Sequence, residues 1–186
     1  MIDNIQLGAV VAPIVSAVVV TILYHYLGRE YLGADENEIW NRARRTILGG
    51  FDQYVRKNST FALTNSVSPE EYVDTLNMSS SEFSELLGSE GYLQCILSGL
   101  KQRKTAGRVS TEAGSMCYRE SRSSLIPDAL AFYQTHVFWF ENGDGTIDVY
   151  AHHEYSSLNP VVAWKHYRAV GQDAAEGVAR VRKLLR

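Results

Sequence analysis

The sequence predicts an α+β domain that follows a single membrane-spanning helix, and three observations support this prediction. An uncharged apolar segment lies near the N-terminus, helical periodicity recurs through the middle of the chain, and two aromatic-rich runs flank a hairpin turn near residue 143. The chain has 186 residues with 18 Lys or Arg, 21 Asp or Glu and a net charge of −3. This near-neutral balance excludes a strongly basic nucleic-acid binder, and the hydrophobic fraction of 45% excludes a disordered acidic tail.

The first predicted element is an apolar segment with the length of a membrane span. No Asp, Glu, Lys or Arg occurs from Asn4 to Gly28. A helix over Leu7–Leu27 would reach about 30 Å at ~1.5 Å per residue, which is the thickness of the hydrocarbon core of a bilayer. A cleaved signal peptide fits less well because no basic residue precedes the segment, and a buried core helix is rarely apolar on all sides for so long. We therefore expect residues 1–28 to be an uncleaved transmembrane anchor and residues 29–186 to be a separate domain.

The composition around this segment predicts its orientation and its contacts. Basic residues follow the segment, beginning at Arg29, and none precedes it, so the positive-inside rule places the N-terminus outside and the domain in the cytoplasm. Cys95 and Cys117 are too few for a disulfide framework, and we expect them to be unpaired thiols in a reducing compartment. Membrane lipid is the expected partner, and small residues at every fourth position would let a protein partner or a second copy approach the helix closely. These small residues are Gly8, Ala12 and Ser16.

The middle and the end of the chain contain helix start signals. The strongest are capping boxes, in which a Ser or Asp precedes an acid by three residues and an apolar face follows. A short strand is expected at Ser115–Arg119, where composition shifts toward Ser, Thr and Gly. Helices are expected over Asp35–Asn58, from Ser68, from Ser79, over about Glu90–Gln102, and after the cap Asp173.

The helices between residues 66 and 104 leave a nucleic-acid-binding regulator open as an alternative. Helix, Gly-containing turn and helix at this spacing resemble a helix-turn-helix motif superficially. Residues 58–93 contain six acids and no base, so a DNA-facing helix would lie beside a repulsive surface, and nucleic acid is a disfavoured partner. The bases after residue 100 are instead expected to pair with the acids of residues 70–90.

The clearest β signal is a long hairpin at about 132–155. Two runs rich in aromatic and β-branched residues flank the turn composition of Glu141–Gly145. If Phe140 lies opposite Thr146, one face of the hairpin is apolar and the other mixes aromatic, histidine and acidic side chains. We therefore expect helices packed on a small antiparallel sheet that contains this hairpin.

Histidines concentrate at the hairpin and provide the candidate chemistry. Four of the five histidines lie between residues 136 and 166, together with acids on the same strands. Imidazole and carboxylate groups are ligands of zinc and similar ions, so a divalent transition metal is the one cofactor that the sequence suggests. No H-x-x-x-H, H-E-x-x-H or C-x-x-C spacing occurs, so structural polar pairing is the favoured interpretation. The candidate metal ligands are His136, Asp148, His152 and Glu154, and the candidate catalytic residues are His152, Glu154 and His166.

Three functions remain open at this stage. We expect a non-enzymatic, single-pass membrane-anchored interaction or structural protein that self-associates through its span. The first alternative is a membrane-anchored hydrolase in which the histidine and glutamate cluster binds a metal and activates water. The second alternative is the helix-turn-helix regulator.

Overall fold

The computed structural model describes residues 66–95, 101–105, 107–120, 130–159, 161–166 and 168–186. The predicted anchor over residues 1–28 lies outside these ranges, as does the helix expected over Asp35–Asn58. Among the described residues, no helix is both long enough and apolar enough to cross a bilayer.

The described residues form a small α+β fold. A 3₁₀ turn at Pro69–Glu71 leads into the first strand. The strands are β1 (Tyr72–Leu76), β2 (Leu93–Gln94), β3 (Gln102–Thr105), β4 (Arg108–Thr111), β5 (Gly114–Arg119), β6 (Tyr133–Glu141) and β7 (Ile147–Tyr155), and the helices are α1 (Ser80–Ser89), α2 (Ala163–His166) and α3 (Ala174–Leu184). A five-stranded antiparallel sheet has the order β1-β7-β6-β5-β2, and β3 and β4 form a separate two-stranded ribbon.

The predicted hairpin is present as β6 and β7, with a different register. Phe140 pairs with Asp148 and not with Thr146. Since side chains alternate along a strand, this shift of two residues leaves every side chain on its expected face. The apolar face of the hairpin packs into the main core through Val137, Trp139, Ile147, Val149 and Ala151.

Helices α1 and α3 cover this apolar face. Their buried residues Phe83, Leu87, Val178 and Val181 belong to the same core cluster as the hairpin. Both helices begin at their predicted caps, since the side chain of Ser79 accepts from the backbone N–H of Glu82 and that of Asp173 accepts from Glu176 N–H.

Within the described residues, strands occur in two segments that were predicted as helices. After the 3₁₀ turn that follows Ser68, the chain continues as β1, which pairs with β7. In the segment predicted as a helix over Glu90–Gln102, residues 93–94 form β2 against β5, and Gln102 begins β3. The pairing partners lie far away in sequence, so local helical periodicity did not reveal them. In the described residues α1 is preceded by β1 and followed by β2, whereas the helix-turn-helix alternative expects a second helix directly after the turn.

The prediction of unpaired cysteines was also wrong. Cys95, directly after β2, forms a disulfide with Cys117 of β5. The two sequence positions are separated by 22 residues, but the β2 and β5 pairing brings them together. The cysteines therefore give no support to a reducing compartment, and the charge asymmetry around the apolar segment is the argument that remains for a cytoplasmic domain.

Candidate metal centre

The candidate site lies on the sheet face opposite α1 and α3, where the strand register aligns its residues in rows. Cys117, His136 and His152 occupy directly paired positions on β5, β6 and β7. Gln134 and Glu154 are paired in the next row on the same face. Because directly paired residues on one face have Cβ atoms only about 5 Å apart, side chains distant in sequence meet here.

Potential ligand atoms of three residues converge at the centre of these rows. Nδ1 of His136 lies 3.2 Å from Nε2 of His152. The carboxylate of Glu154 places Oε1 3.6 Å from His136 Nδ1 and Oε2 3.4 Å from His152 Nε2. These three residues form a group in which every ligand atom lies within 4.8 Å of the others, a spacing suited to a metal ion. All three side chains are largely shielded, with exposed fractions of 12% for His136, 1% for His152 and 5% for Glu154.

Each of the three residues is held by a further polar group on its far side. The second ring nitrogen of His136, Nε2, lies 2.6 Å from the hydroxyl oxygen of Ser115. The second nitrogen of His152, Nδ1, lies 2.6 Å from Glu71 Oε1. The amide of Gln134 donates to Glu154 Oε1 over 2.8 Å. The orientations of both rings and of the carboxylate are therefore fixed by neighbouring side chains.

Glu71 connects the centre to two other parts of the fold. It ends the 3₁₀ turn, is 4% exposed, and accepts a hydrogen bond from the backbone N–H of Ser68 at Oε2 over 2.8 Å. Nζ of Lys101 lies 3.5 Å from Oε1 of the same carboxylate and 5.0 Å from the centre of the Phe138 ring. This ion pair is of the kind expected between the bases after residue 100 and the acids at 70–90.

The pKa values of the two histidines are shifted in opposite directions. Burial and the neighbouring His152 hold the pKa of His136 well below its ordinary value. Burial also opposes protonation of His152, but the carboxylates of Glu154 and Glu71 outweigh it and raise its pKa. The raised pKa of His152 favours the protonated form of this ring, with its Nδ1 facing Glu71 and its Nε2 facing His136 Nδ1.

The two carboxyl groups remain ionised despite their burial. Burial alone would raise the pKa of Glu154, yet His166 and His152 hold it well below its ordinary value. The pKa of Glu71 is likewise lowered against the effect of burial, by the hydrogen bond with His152 and the charge of Lys101. The two carboxylates thus face the ammonium of Lys101 and the rings of His152 and His166 within the buried cluster.

The predicted site residues divide into those at the centre and one that lies elsewhere. His136, His152 and Glu154 are together, and Nδ1 of His166, the last residue of α2, lies 2.9 Å from Glu154 Oε2. Asp148 is separate. Its carboxylate forms an ion pair with Arg103 of the ribbon and accepts from the Thr75 hydroxyl over 2.5 Å. Asp148, one of the predicted metal ligands, is displaced along β7 by two side-chain positions from His152 and lies outside the group of converging ligand atoms.

Sequence reasoning missed the groups that orient the ligands. Glu71 lies 81 residues before His152 in the sequence. It was interpreted as an acid in the first turn of a helix, whereas the chain forms only a 3₁₀ turn there. Ser115 and Gln134 were recognised only as strand residues. Their roles depend on register across three strands, for which the sequence contains no local signal.

The side chains of Ser115, His136, His152 and Glu71 follow one another in a hydrogen-bonded series. A series of hydroxyl, imidazole and carboxylate groups can activate the hydroxyl as a nucleophile. However, Ser115 is only 2% exposed, so a substrate has no approach to its hydroxyl. The geometry therefore favours ion binding or structural pairing over nucleophilic catalysis.

No protein family, curated protein or solved structure matches the chain.

Proposed function

We propose that the chain is a single-pass membrane-anchored, non-enzymatic protein whose folded domain holds a divalent transition metal, with zinc as the reference ion. The ligands are His136 Nδ1, His152 Nε2 and the carboxylate of Glu154. The observation on which this proposal depends is the convergence of these three residues: the two ring nitrogens lie 3.2 Å apart, and each lies 3.6 or 3.4 Å from one of the two Glu154 oxygens.

The distances between these ligand atoms fit a tetrahedral ion. Zinc binds histidine nitrogen and carboxylate oxygen at about 2.0–2.2 Å, which separates neighbouring tetrahedral ligands by about 3.4 Å. The distance between the ring nitrogens and the distance from each nitrogen to its nearer Glu154 oxygen span this value. A metal ion would replace the contact between the two ring nitrogens.

The surrounding hydrogen bonds match those of metal-bound histidines. Such histidines generally donate their other ring N–H to a carboxylate, a carbonyl or another polar group, which fixes the tautomer and the direction of the lone pair. Glu71 takes this role for His152 and Ser115 takes it for His136. The carboxylate of Glu71 also increases the basicity of the His152 ring and so strengthens it as a ligand.

The burial of the ligands favours a closed structural site over a hydrolase. A catalytic zinc keeps one coordination position open for water and substrate, whereas structural sites are closed by protein ligands. His152 and Glu154 are almost completely buried, and His166 lies against the Glu154 carboxylate on the more exposed side. The ion would therefore hold β6 and β7 together.

The membrane part of the proposal is supported by the uncharged segment over Leu7–Leu27 and by the bases that follow it. Membrane lipid is its proposed partner, and self-association would use the small-residue face of Gly8, Ala12 and Ser16. Carbonate and high-salt washing of membranes tests the anchor: the full chain should stay in the pellet, and release would contradict it. Gly8→Ile should convert a dimer in detergent to a monomer.

Metal content of the purified full chain tests the ion. After zinc loading and dialysis, elemental analysis should find one ion per wild-type chain and none specifically bound to His152→Ala. His153→Ala is the matched control, because this neighbouring ring points to the other face of β7, near Glu120. Glu154→Gln, which preserves shape, should also lose the ion, and circular dichroism checks that each variant is folded. A folded wild-type chain without stoichiometric metal would overturn the proposal.

A further inference from the structure

We propose that the Cys95–Cys117 disulfide is the oxidised form of a second zinc-ligand set, so that its reduction by a dithiol adds two thiolates to a site that shares His136 with the proposed metal centre. The inference rests on the proposed function only in this shared ligand. The cysteine pair would bind metal only in its reduced form.

The two ligand sets meet at the ring of His136. The sulfur atoms of Cys95 and Cys117 and one ring nitrogen of His136 lie within 4.8 Å of one another. Cys117 is directly paired with His136 between β5 and β6, just as His136 is paired with His152 between β6 and β7. The imidazole of His136 therefore lies between a sulfur pair on one side and the His152 and Glu154 ligands on the other.

The chemistry of sulfur makes this arrangement redox-dependent. In the disulfide the two sulfurs are bonded to each other and carry no charge, so they are poor zinc ligands. A dithiol reductant transfers two electrons and two protons, becomes a disulfide itself, and leaves two cysteine thiols. Zinc then displaces the two thiol protons to solvent and gains two thiolate ligands beside one ring nitrogen of His136, which makes a Cys₂His set of ligand types that zinc favours.

The two cysteines differ in burial and position. Cys95 is 8% exposed and directly follows β2, a strand of two residues at the edge of the sheet, whereas Cys117 is 1% exposed within β5. Thiol–disulfide exchange requires approach to one sulfur only, and Cys95 at the sheet edge is the less buried of the two.

Cobalt and zinc titrations of the full chain in detergent test this inference. Oxidised protein is compared with protein reduced by a water-soluble phosphine, without oxygen, and a chelator competes for the metal. Zinc affinity should rise by at least about tenfold on reduction, because soft thiolates bind zinc more tightly than the ligands they supplement. Reduced protein with Co²⁺ should show a thiolate-to-cobalt charge-transfer band in the near ultraviolet, which nitrogen and oxygen ligands do not produce.

The variants separate this inference from the proposed function. Cys95→Ser with Cys117→Ser should bind metal with the oxidised affinity under both conditions and show no charge-transfer band. His136→Ala should weaken both states. Metal binding to the oxidised chain with no change on reduction would overturn the redox inference alone. Binding with a charge-transfer band only after reduction would overturn the proposed His136–His152–Glu154 centre alone, and binding in neither state would overturn both.

Discussion

Gly177 of α3 lies directly against the backbone of His152. A β-carbon built on Gly177 would come within 2.3 Å of His152 Cα and 2.4 Å of its carbonyl carbon, which is closer than atoms can pack. The helix therefore supports β7 from the side opposite to the candidate metal centre, at the residue that provides one of the ligands. The helix and the centre share a strand, so a displacement of α3 should affect the ligand geometry.

Gly177→Ala should destabilise the protein. Alanine is normally favoured over glycine inside a helix, but here its methyl group would meet a strand backbone that cannot move aside, and overpacking of this kind costs about 1–3 kcal/mol. Urea unfolding measures the change. Gly88→Ala in α1 is the control, because nothing lies within 4 Å of its added β-carbon, and it should stabilise by roughly 0.5–1 kcal/mol. Equal effects of the two substitutions would show that α3 does not contact β7 closely.

Local signals predicted those parts of the fold that local chemistry determines. The hairpin follows from turn residues between strand-forming runs, and the caps Ser79 and Asp173 follow from side chains that reach backbone groups three residues away. The predicted hairpin register was wrong by two residues, but each side chain still lies on its predicted face because side chains alternate with a period of two.

Pairing over long sequence distances explains the predictions that failed. Strands β1 and β2 are short, and each depends on a partner far along the chain, so their sequences read as helix. The same limit applies to the site. The ring of His152 and the ring of His136 could be placed on one face from the hairpin alone, whereas the contact of His152 with Glu71 depends on how β1 joins the sheet.

Asp173→Ala should shorten or weaken α3. The side chain of Asp173 accepts the N–H of Glu176 over 2.9 Å, and removing an N-cap acceptor costs about 1 kcal/mol. Asp173→Asn keeps an acceptor oxygen and should preserve most of the stability. Urea denaturation of both variants provides the comparison, and a full loss in the Asn variant would show that charge and not capping is responsible.

Glu71→Gln should reduce zinc affinity by about 10- to 100-fold without removing the ligands, which is the usual effect of losing a residue that orients a metal-bound histidine. The amide keeps the size of the side chain and an oxygen that can accept from His152 Nδ1, but it removes the charge that makes this ring a strong ligand. Competition with a chelator measures the affinity. Glu70→Gln is the neighbouring control, since Glu70 is exposed on the same turn and should have no effect. Equal affinities for the wild type and Glu71→Gln would contradict the orienting role.

Asp148→Asn should affect stability but not metal content. Partial burial opposes ionisation of Asp148, but hydrogen bonds from Thr75 and Asn142 and the contact with Arg103 hold its pKa below its ordinary value. A carboxyl group with a lowered folded-state pKa stabilises the fold above its unfolded pKa, here 3.8, and this contribution is lost as the pH falls through the folded-state value. The substitution should therefore cost about 1 kcal/mol near pH 6, where the carboxylate is paired with Arg103.

The difference between wild type and Asp148→Asn should shrink progressively as the pH is lowered below 3.8, because the wild-type carboxyl group then loses its charge as well. Chemical denaturation at a series of pH values measures this difference. Elemental analysis at neutral pH should find the same zinc content in both proteins, since Asp148 contacts the ribbon through Arg103 and not the His136, His152 and Glu154 group. A variant that lost its zinc while remaining folded would show that Asp148 reaches the metal after all, and a stability difference independent of pH would assign its effect to shape and not to charge.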